Sequence, residues 1–265
     1  MHHIVHQHTL ENRLTSLLCT VLLCLAATFA VADEHGDKMA ADAPTVLITG
    51  ANRGLGLEFA RQYAAAGWTV IGTARSPAKA KDLNALDVET LALDVADRDS
   101  IAALVTALDG RAIDMLINNA GIFPRVNEIE RVDADDYAQT LMVNTLGPVL
   151  VTQALMPNLR KGELKRIVNI SSQLGSIEMN SGGFYGYRES KSALNMFTKT
   201  LGAELGPDGF VCLAIHPGWV RTDMGGANAS LSPQESVSAM RAVIDNVTAD
   251  DNGTYRGYNG DAVAW

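Results

Sequence analysis

Short, unbroken apolar runs alternate along this chain with segments whose apolar residues recur every three to four positions. The first run, Thr45-Val-Leu-Ile48, leads into Leu55–Ala66, where Leu57, Phe59, Ala60, Tyr63 and Ala64 form one apolar helical face. Trp68–Thr73 reads as the next strand, followed by a helix near Pro77–Leu86 and the strand Val88–Leu93. Asp97-Arg-Asp-Ser100 opens a helix to Leu108, Ile113–Ile117 is a strand, and a long helix runs over about Asp135–Leu159 with a break at Gly147-Pro148. Ile167–Ile170 and Val211–Ile215 are further strands, with helices over Tyr187–Leu205 and Pro233–Val247. Strands that are apolar at every position belong in a sheet covered on both faces, and strand–helix alternation makes that sheet parallel. The expected fold is α/β, a doubly wound parallel sheet in a single domain over residues 45–265.

Upstream the pattern changes. Leu17–Val31 is a continuous apolar stretch, short for a membrane span, that ends in Ala30-Val31-Ala32 before Asp33-Glu34. Residues 1–32 read as a signal peptide cleaved after Ala32, and 33–44 as a polar linker. That reading places an exported protein, periplasmic or secreted, with no stable membrane span after cleavage. Translation from Met39, which gives a cytoplasmic protein, and an uncleaved anchor are the alternatives.

Composition narrows the partners. At 265 residues, 47% hydrophobic and 19% charged, the chain suits one soluble domain with a sizeable core. A net charge of −9 and the lack of a Lys/Arg cluster exclude a nucleic-acid backbone as partner. His2, His3, His6, His8 and His35 precede the domain and leave His216 alone inside it, so no histidine metal site is expected. Cys212 stands alone after Cys19 and Cys24, which excludes a disulfide framework and reads as a buried strand residue. The glycine pairs Gly182-Gly183 and Gly225-Gly226 read as mobile loops beside the candidate site.

Two constellations carry chemistry. Thr49-Gly-Ala-Asn-Arg-Gly-Leu-Gly56 joins the first strand to the first helix, where backbone N–H groups and the helix dipole can hold a pyrophosphate, as in a Rossmann-type fold. Its contact residues would be Gly50, Asn52, Arg53, Gly54, Leu55 and Gly56. The second strand ends in Gly72-Thr-Ala-Arg75 without the carboxylate that would take the ribose 2′-hydroxyl of NAD. Arg75 and Arg53 could instead clasp a 2′-phosphate, which predicts NADP(H) as cofactor. The other constellation is Tyr187 and Lys191, one helical turn apart, where the ammonium can favour the phenolate and lower the tyrosine pKa. Tyr185 has Glu189 at the same spacing, which would oppose its ionisation. Of Ser171 and Ser172, on opposite faces of a continuing strand, only one can orient a carbonyl.

With these residues in place the chain resembles the short-chain dehydrogenase/reductase family. Thr49–Gly56, Leu93-Asp-Val95, Asn118-Asn-Ala-Gly121, Asn144, Asn169-Ile-Ser-Ser172, Tyr187-Arg-Glu-Ser-Lys191 and Pro217-Gly-Trp-Val-Arg-Thr222 carry the resemblance in order. Trp219–Gly226, Ser232–Val237 and Asn252–Gly260, with Trp265, look like its C-factor and sniffer-type carbonyl reductase subgroup. The resemblance implies NADPH-dependent, reversible reduction of an aldehyde or ketone. It implies Ser172 as the group on the carbonyl oxygen, Tyr187 as the acid, Lys191 on the nicotinamide ribose and Asn144 as the anchor of a relay water. Asp94 and Val95 would meet the adenine; Asn118, Ala120 and Gly121 would border the adenosine and nicotinamide; Pro217, Gly218, Val220 and Thr222 would line the carboxamide side. Phe123, Phe184, Trp219 and Met224 are the expected substrate contacts, and His216 a packing residue. A homodimer or homotetramer is expected by the same resemblance, and a dinucleotide-binding signalling protein with little turnover is the alternative function.

Overall fold

A computed structural model of the protein describes residues 43–265. The expected signal peptide, and nearly all of the linker after it, lie outside the described residues. Seven strands form one sheet: β1 (Thr45–Ile48), β2 (Thr69–Ala74), β3 (Glu89–Ala92), β4 (Met115–Asn118), β5 (Arg166–Ile170), β6 (Val211–His216) and β7 (Thr254–Gly257), in the order 3-2-1-4-5-6-7. Every pairing is parallel. The helices are α1 (Gly54–Ala65), α2 (Lys81–Asn84), α3 (Arg98–Leu108), α4 (Ala134–Leu141), α5 (Gly147–Leu159), α6 (Tyr187–Leu205) and α7 (Pro233–Ile244).

The unbroken apolar strands divide by alternation into two cores. Val46, Ile48, Met115, Ile117, Val168, Ile170, Leu213 and Ile215 face one side, with Phe59 and Tyr63 of α1 and Val237 and Met240 of α7. Leu47, Leu116, Ile167 and Cys212 face the other, packed by Leu104 and Leu108 of α3, Val151 and Leu155 of α5, and Leu201 of α6. A period of two in a strand sends neighbours to opposite faces, so a doubly covered sheet needs both to be apolar.

Three elements differ from the sequence expectation; the helix expected near Pro77–Leu86 is only a 3-10 turn, Pro77–Lys79, and the short α2. β7 was not expected, because Thr254-Tyr-Arg-Gly257 alternates half-buried and buried positions on the sheet's edge instead of forming an apolar run. The expected helix 135–159 starts at Ala134 and is interrupted by a π-helical stretch, Met142–Leu146, before α5 opens at Gly147. Pro148 has no N–H to give the carbonyl of Asn144, so the regular α-helical ladder cannot continue there. Among the described residues no helix is long and apolar enough to cross a membrane, and no cluster of metal-ligating side chains occurs.

Candidate active site

In a parallel sheet all strand ends of one kind share an edge, so the loops after β1, β2, β4, β5 and β6 meet there, around the point between β1 and β4 where the strand order reverses. Thr49 joins the loop after β1 to the loop after β4. Its hydroxyl accepts the backbone N–H groups of Asn119 (2.9 Å) and Ala120 (3.0 Å), while Asn119 Nδ2 donates to the carbonyls of Thr49 (2.9 Å) and Gly50 (3.1 Å). Gly50 takes φ +66°, and a Cβ on Gly56 would lie 2.5 Å from Asn119 Nδ2 and still nearer the Gly50 carbonyl. Only glycine closes that turn. No side chain caps α1, and its first N–H groups face the loop, as an anion site requires. Asn52 and Arg53 are exposed there, and Gly54 and Leu55 half-buried.

Arg75 stands exposed after β2, but Arg53 Nη1 pairs with Asp223 Oδ2 at 2.7 Å, because Gly54 and Thr222 bring the glycine loop and the loop after β6 together. With side chains 68% and 79% exposed, this pair contributes about 0–1 kcal/mol and yields readily to a stronger anion. No acidic residue occupies the β2 end, Thr73–Ser76. Asp94 is half-buried and accepts the Ala96 N–H at 3.0 Å, beside the buried Val95; the helix that follows is capped by Asp97.

At the β5–α6 side, Ser172, Tyr187 and Lys191 come together. Lys191 Nζ donates to the Ile170 carbonyl at 2.8 Å and lies 5.8 Å from the centre of the Tyr187 ring. A Cβ on Gly121 would sit 3.3 Å from Asn144 Oδ1 and 3.8 Å from Lys191 Nζ, so the loop after β4 touches both. Burial lowers Lys191 to about 8. Burial also pushes the Tyr187 phenol up to about 12, against a smaller downward pull from Ser172. This corrects the expected lowering by Lys191: the ammonium is engaged by the Ile170 carbonyl, and burial is the largest influence on the phenol.

The serine choice follows from what each hydroxyl meets. Ser171 Oγ is buried and donates to Asn195 Oδ1 at 2.6 Å. Ser172 is half-buried, accepts the Leu174 N–H at 3.2 Å and lies close enough to Tyr187 to pull its pKa down. Asn144 is fully buried: Oδ1 accepts the Ile122 N–H (2.8 Å), and Nδ2 donates to the Ile122 carbonyl (2.9 Å) and Ser190 Oγ (3.1 Å). Its amide therefore clasps the β4 loop to α6. Asn118 lies inside the sheet. Its side chain is buried and donates to Asn169 Oδ1 (2.9 Å) and Thr152 Oγ1 (3.2 Å), linking β4 to β5 and α5. Asn119, with Ala120 and Gly121 half-buried after it, turns to the glycine loop instead.

The remaining wall comes from two loops. Phe123 packs on Tyr187 (ring centres 4.3 Å) and Phe184 (5.4 Å). Trp219 and Met224 are exposed on the loop after β6, where Pro217 and Gly218 are half-buried, Val220 is buried, and Thr222 Oγ1 accepts the Gly225 N–H at 3.1 Å. Arg125 Nη2 donates to the Met224 carbonyl at 2.5 Å and ties the two loops together. His216 accepts the Gln173 N–H through Nδ1 at 3.1 Å, and burial lowers it to about 4. A cavity of about 430 Å³ is formed by the Ser172–Tyr187 loop and the start of α6, lined by Ile177, Tyr185 and Glu189 among others. None of Asn144, Ser172, Tyr187 and Lys191 lines it, so it is separate from the chemistry.

Sequence reasoning placed Asn119 in the Asn118–Gly121 motif but missed that it ties the glycine loop to β4, and missed Tyr255, whose hydroxyl donates to the Ser172 carbonyl at 2.5 Å from the unexpected strand β7. Arg188 was also missed as more than a letter between Tyr187 and Lys191.

Comparisons with known proteins agree with this architecture. The short chain dehydrogenase family model matches residues 44–231. The C-signal protein of Myxococcus xanthus is 44% identical over 154 residues, 58% of this chain and 93% of that one. The carbonyl reductase Sniffer of D. melanogaster is 34% identical, with a TM-score of 0.78 over 84% of this chain and 100% of that chain. An NADPH-bound carbonyl reductase from chicken fatty liver is 35% identical, also with a TM-score of 0.78, over 84% of this chain and 99% of that chain.

Proposed function

Because the chain belongs to the short-chain dehydrogenase family, we propose that it is an NADPH-dependent oxidoreductase that reduces an aldehyde or ketone to the alcohol, reversibly. The observation that carries this reading is Tyr187, a buried phenol pushed up to about 12, beside Ser172 and one helical turn from Lys191. Such a phenol stays protonated at neutral pH, which is the state a proton donor needs.

The residues present fit the cofactor. The uncapped first turn of α1, the glycine-only closure at Gly56, and an exposed Arg75 where a ribose-binding carboxylate is missing suit a dinucleotide with a 2′-phosphate. The chicken relative that binds NADPH supports the same choice. Bound NADPH supplies the hydride. Ser172 Oγ donates a hydrogen bond to the carbonyl oxygen and fixes its direction. Tyr187 gives its proton to that oxygen as negative charge develops on it. Lys191, cationic below about pH 8, stabilises the tyrosinate left behind and holds a ribose hydroxyl. Asn144 keeps the loop after β4 and α6 in register through Ile122 and Ser190, and would anchor the water that returns the proton. Phe123 and Phe184 give the carbonyl an apolar wall and exclude water.

A dinucleotide-binding signalling protein is the second reading, favoured by the likeness to the C-signal protein. It leaves the buried Tyr187–Lys191 pair, costly to desolvate, without a use. Tyr187→Phe separates mechanism from scaffold. The variant is expected to bind NADPH with wild-type affinity and to lose reductase kcat by roughly 10²- to 10⁴-fold. Near-full activity in the phenylalanine variant contradicts the assignment.

A further inference from the structure

The segment from Ser172 to Tyr187 connects two reacting hydroxyls with only one short helical turn, Gln173–Gly175, inside it. Its shape is imposed from the helix that follows. Arg188 is 7% exposed, and among the described residues no carboxylate forms an ion pair with it. Its guanidinium donates instead from Nε to the carbonyls of Gly182 and Gly183 (3.1 Å each), from Nη1 to the carbonyl of Leu174 (3.2 Å), and from Nη2 to Ser181 Oγ (3.2 Å). Every acceptor belongs to the segment 174–183. A buried cation is costly unless its donors are met, so these neutral acceptors replace a counter-ion as a set.

The backbone is bent to provide them. Gly182, Gly183 and Phe184 have φ of +85°, +69° and +54°, a run of left-handed residues that turns successive carbonyls towards one point. Phe184 pays for this with a conformation that side chains with a Cβ disfavour. Its ring then lies 5.8 Å from the guanidinium and 5.4 Å from Phe123, which packs 4.3 Å from Tyr187.

The geometry points to Arg188 as a positioning residue that builds the substrate wall and, through it, selectivity for bulky over small carbonyls. The guanidinium gathers the loop carbonyls, the gathered loop presents Phe184, and Phe184 sets Phe123 against the catalytic phenol. A charge that lies over the Phe184 ring thereby shapes the apolar surface that reaches Phe123 and Tyr187. The inference rests on the carbonyl reductase reading above and deepens it.

Arg188→Met in the full chain keeps length and removes the fork. With an aryl ketone and a short aliphatic aldehyde as probes, the kcat/KM ratio is expected to fall about tenfold, mainly through KM for the aryl ketone. NADPH affinity stays at the wild-type value, and protease cutting within 180–184 accelerates about tenfold. Arg188→Lys, a point charge without the planar fork, restores part of the ratio. An Arg188→Met protein with ratio and protease resistance within about twofold of wild type overturns the inference, as does an equal loss on both probes together with lost NADPH binding. Should that variant not fold, Ser181→Ala, which removes one acceptor at an exposed position, is expected to shift the ratio about threefold, and no shift overturns the inference. A wild-type protein that turns over neither probe nor any other carbonyl of a panel defeats the proposed function instead, and the protease readout still decides whether Arg188 holds the loop.

Discussion

Burial drives Tyr187 and Lys191 in opposite directions, the phenol up to about 12 and the ammonium down to about 8, and both shifts favour the neutral form. The acid is therefore protonated across the working range, and the group that titrates first is the lysine. Since Lys191 is cationic only below its pKa, reductase kcat/KM for NADPH, which reports the free protein, should be level to about pH 7 and decline above about pH 8. Initial rates over that range check this, and a profile level to about pH 10, the ordinary lysine value, contradicts it. At this scale the Tyr187 and Lys191 spacing was legible because i and i+4 share a helix face. The direction of the tyrosine shift was not, because a sequence shows charge and spacing but not desolvation. Asn118 and Asn119 show the same limit: neighbouring identical residues face opposite ways, and only the fold says which one holds the glycine loop.

Among the elements, apolar runs placed β1 to β6, and the 3.6-residue pattern placed the long helices to within a few residues. β7 escaped because an edge strand buries only Tyr255 and Gly257 and shows Thr254 and Arg256 half-exposed. With it went Tyr255, whose hydroxyl holds the Ser172 carbonyl. The break near Gly147-Pro148 was legible from proline's missing N–H, but not the π-helical stretch before it, which depends on how Asn144 is clasped by Ile122 and Ser190. The turn from β1 into α1 is the element most sensitive to a single methyl group. Gly56→Ala places that methyl against the Gly50 carbonyl and Asn119 Nδ2, so either the turn opens or the suture to β4 breaks. We expect destabilisation of about 1–3 kcal/mol and at least tenfold weaker NADPH binding, read by thermal melting and fluorescence titration. Unchanged stability and affinity would show that the turn is looser than its contacts indicate.

Across the whole molecule, the order 3-2-1-4-5-6-7 gathers residues far apart in sequence at one sheet edge: the glycine loop, Arg75, Asp94, Asn119, Ser172 and the Pro217–Gly226 loop. The doubly wound architecture was legible because strands apolar on both faces admit few other arrangements. Contacts between the gathered loops were not, since Arg53 with Asp223 and Arg125 with Met224 depend on loop paths that no periodicity encodes. One edge that holds a dinucleotide cradle, an apolar wall and a protonated phenol is organised for turnover. The direct test is to give the full-length protein NADPH and a panel of aldehydes and ketones, and to follow NADPH consumption with alcohol formation. Stoichiometric alcohol production with at least one carbonyl, faster with NADPH than with NADH, is the predicted result; tight NADPH binding with no turnover of any carbonyl would contradict the account.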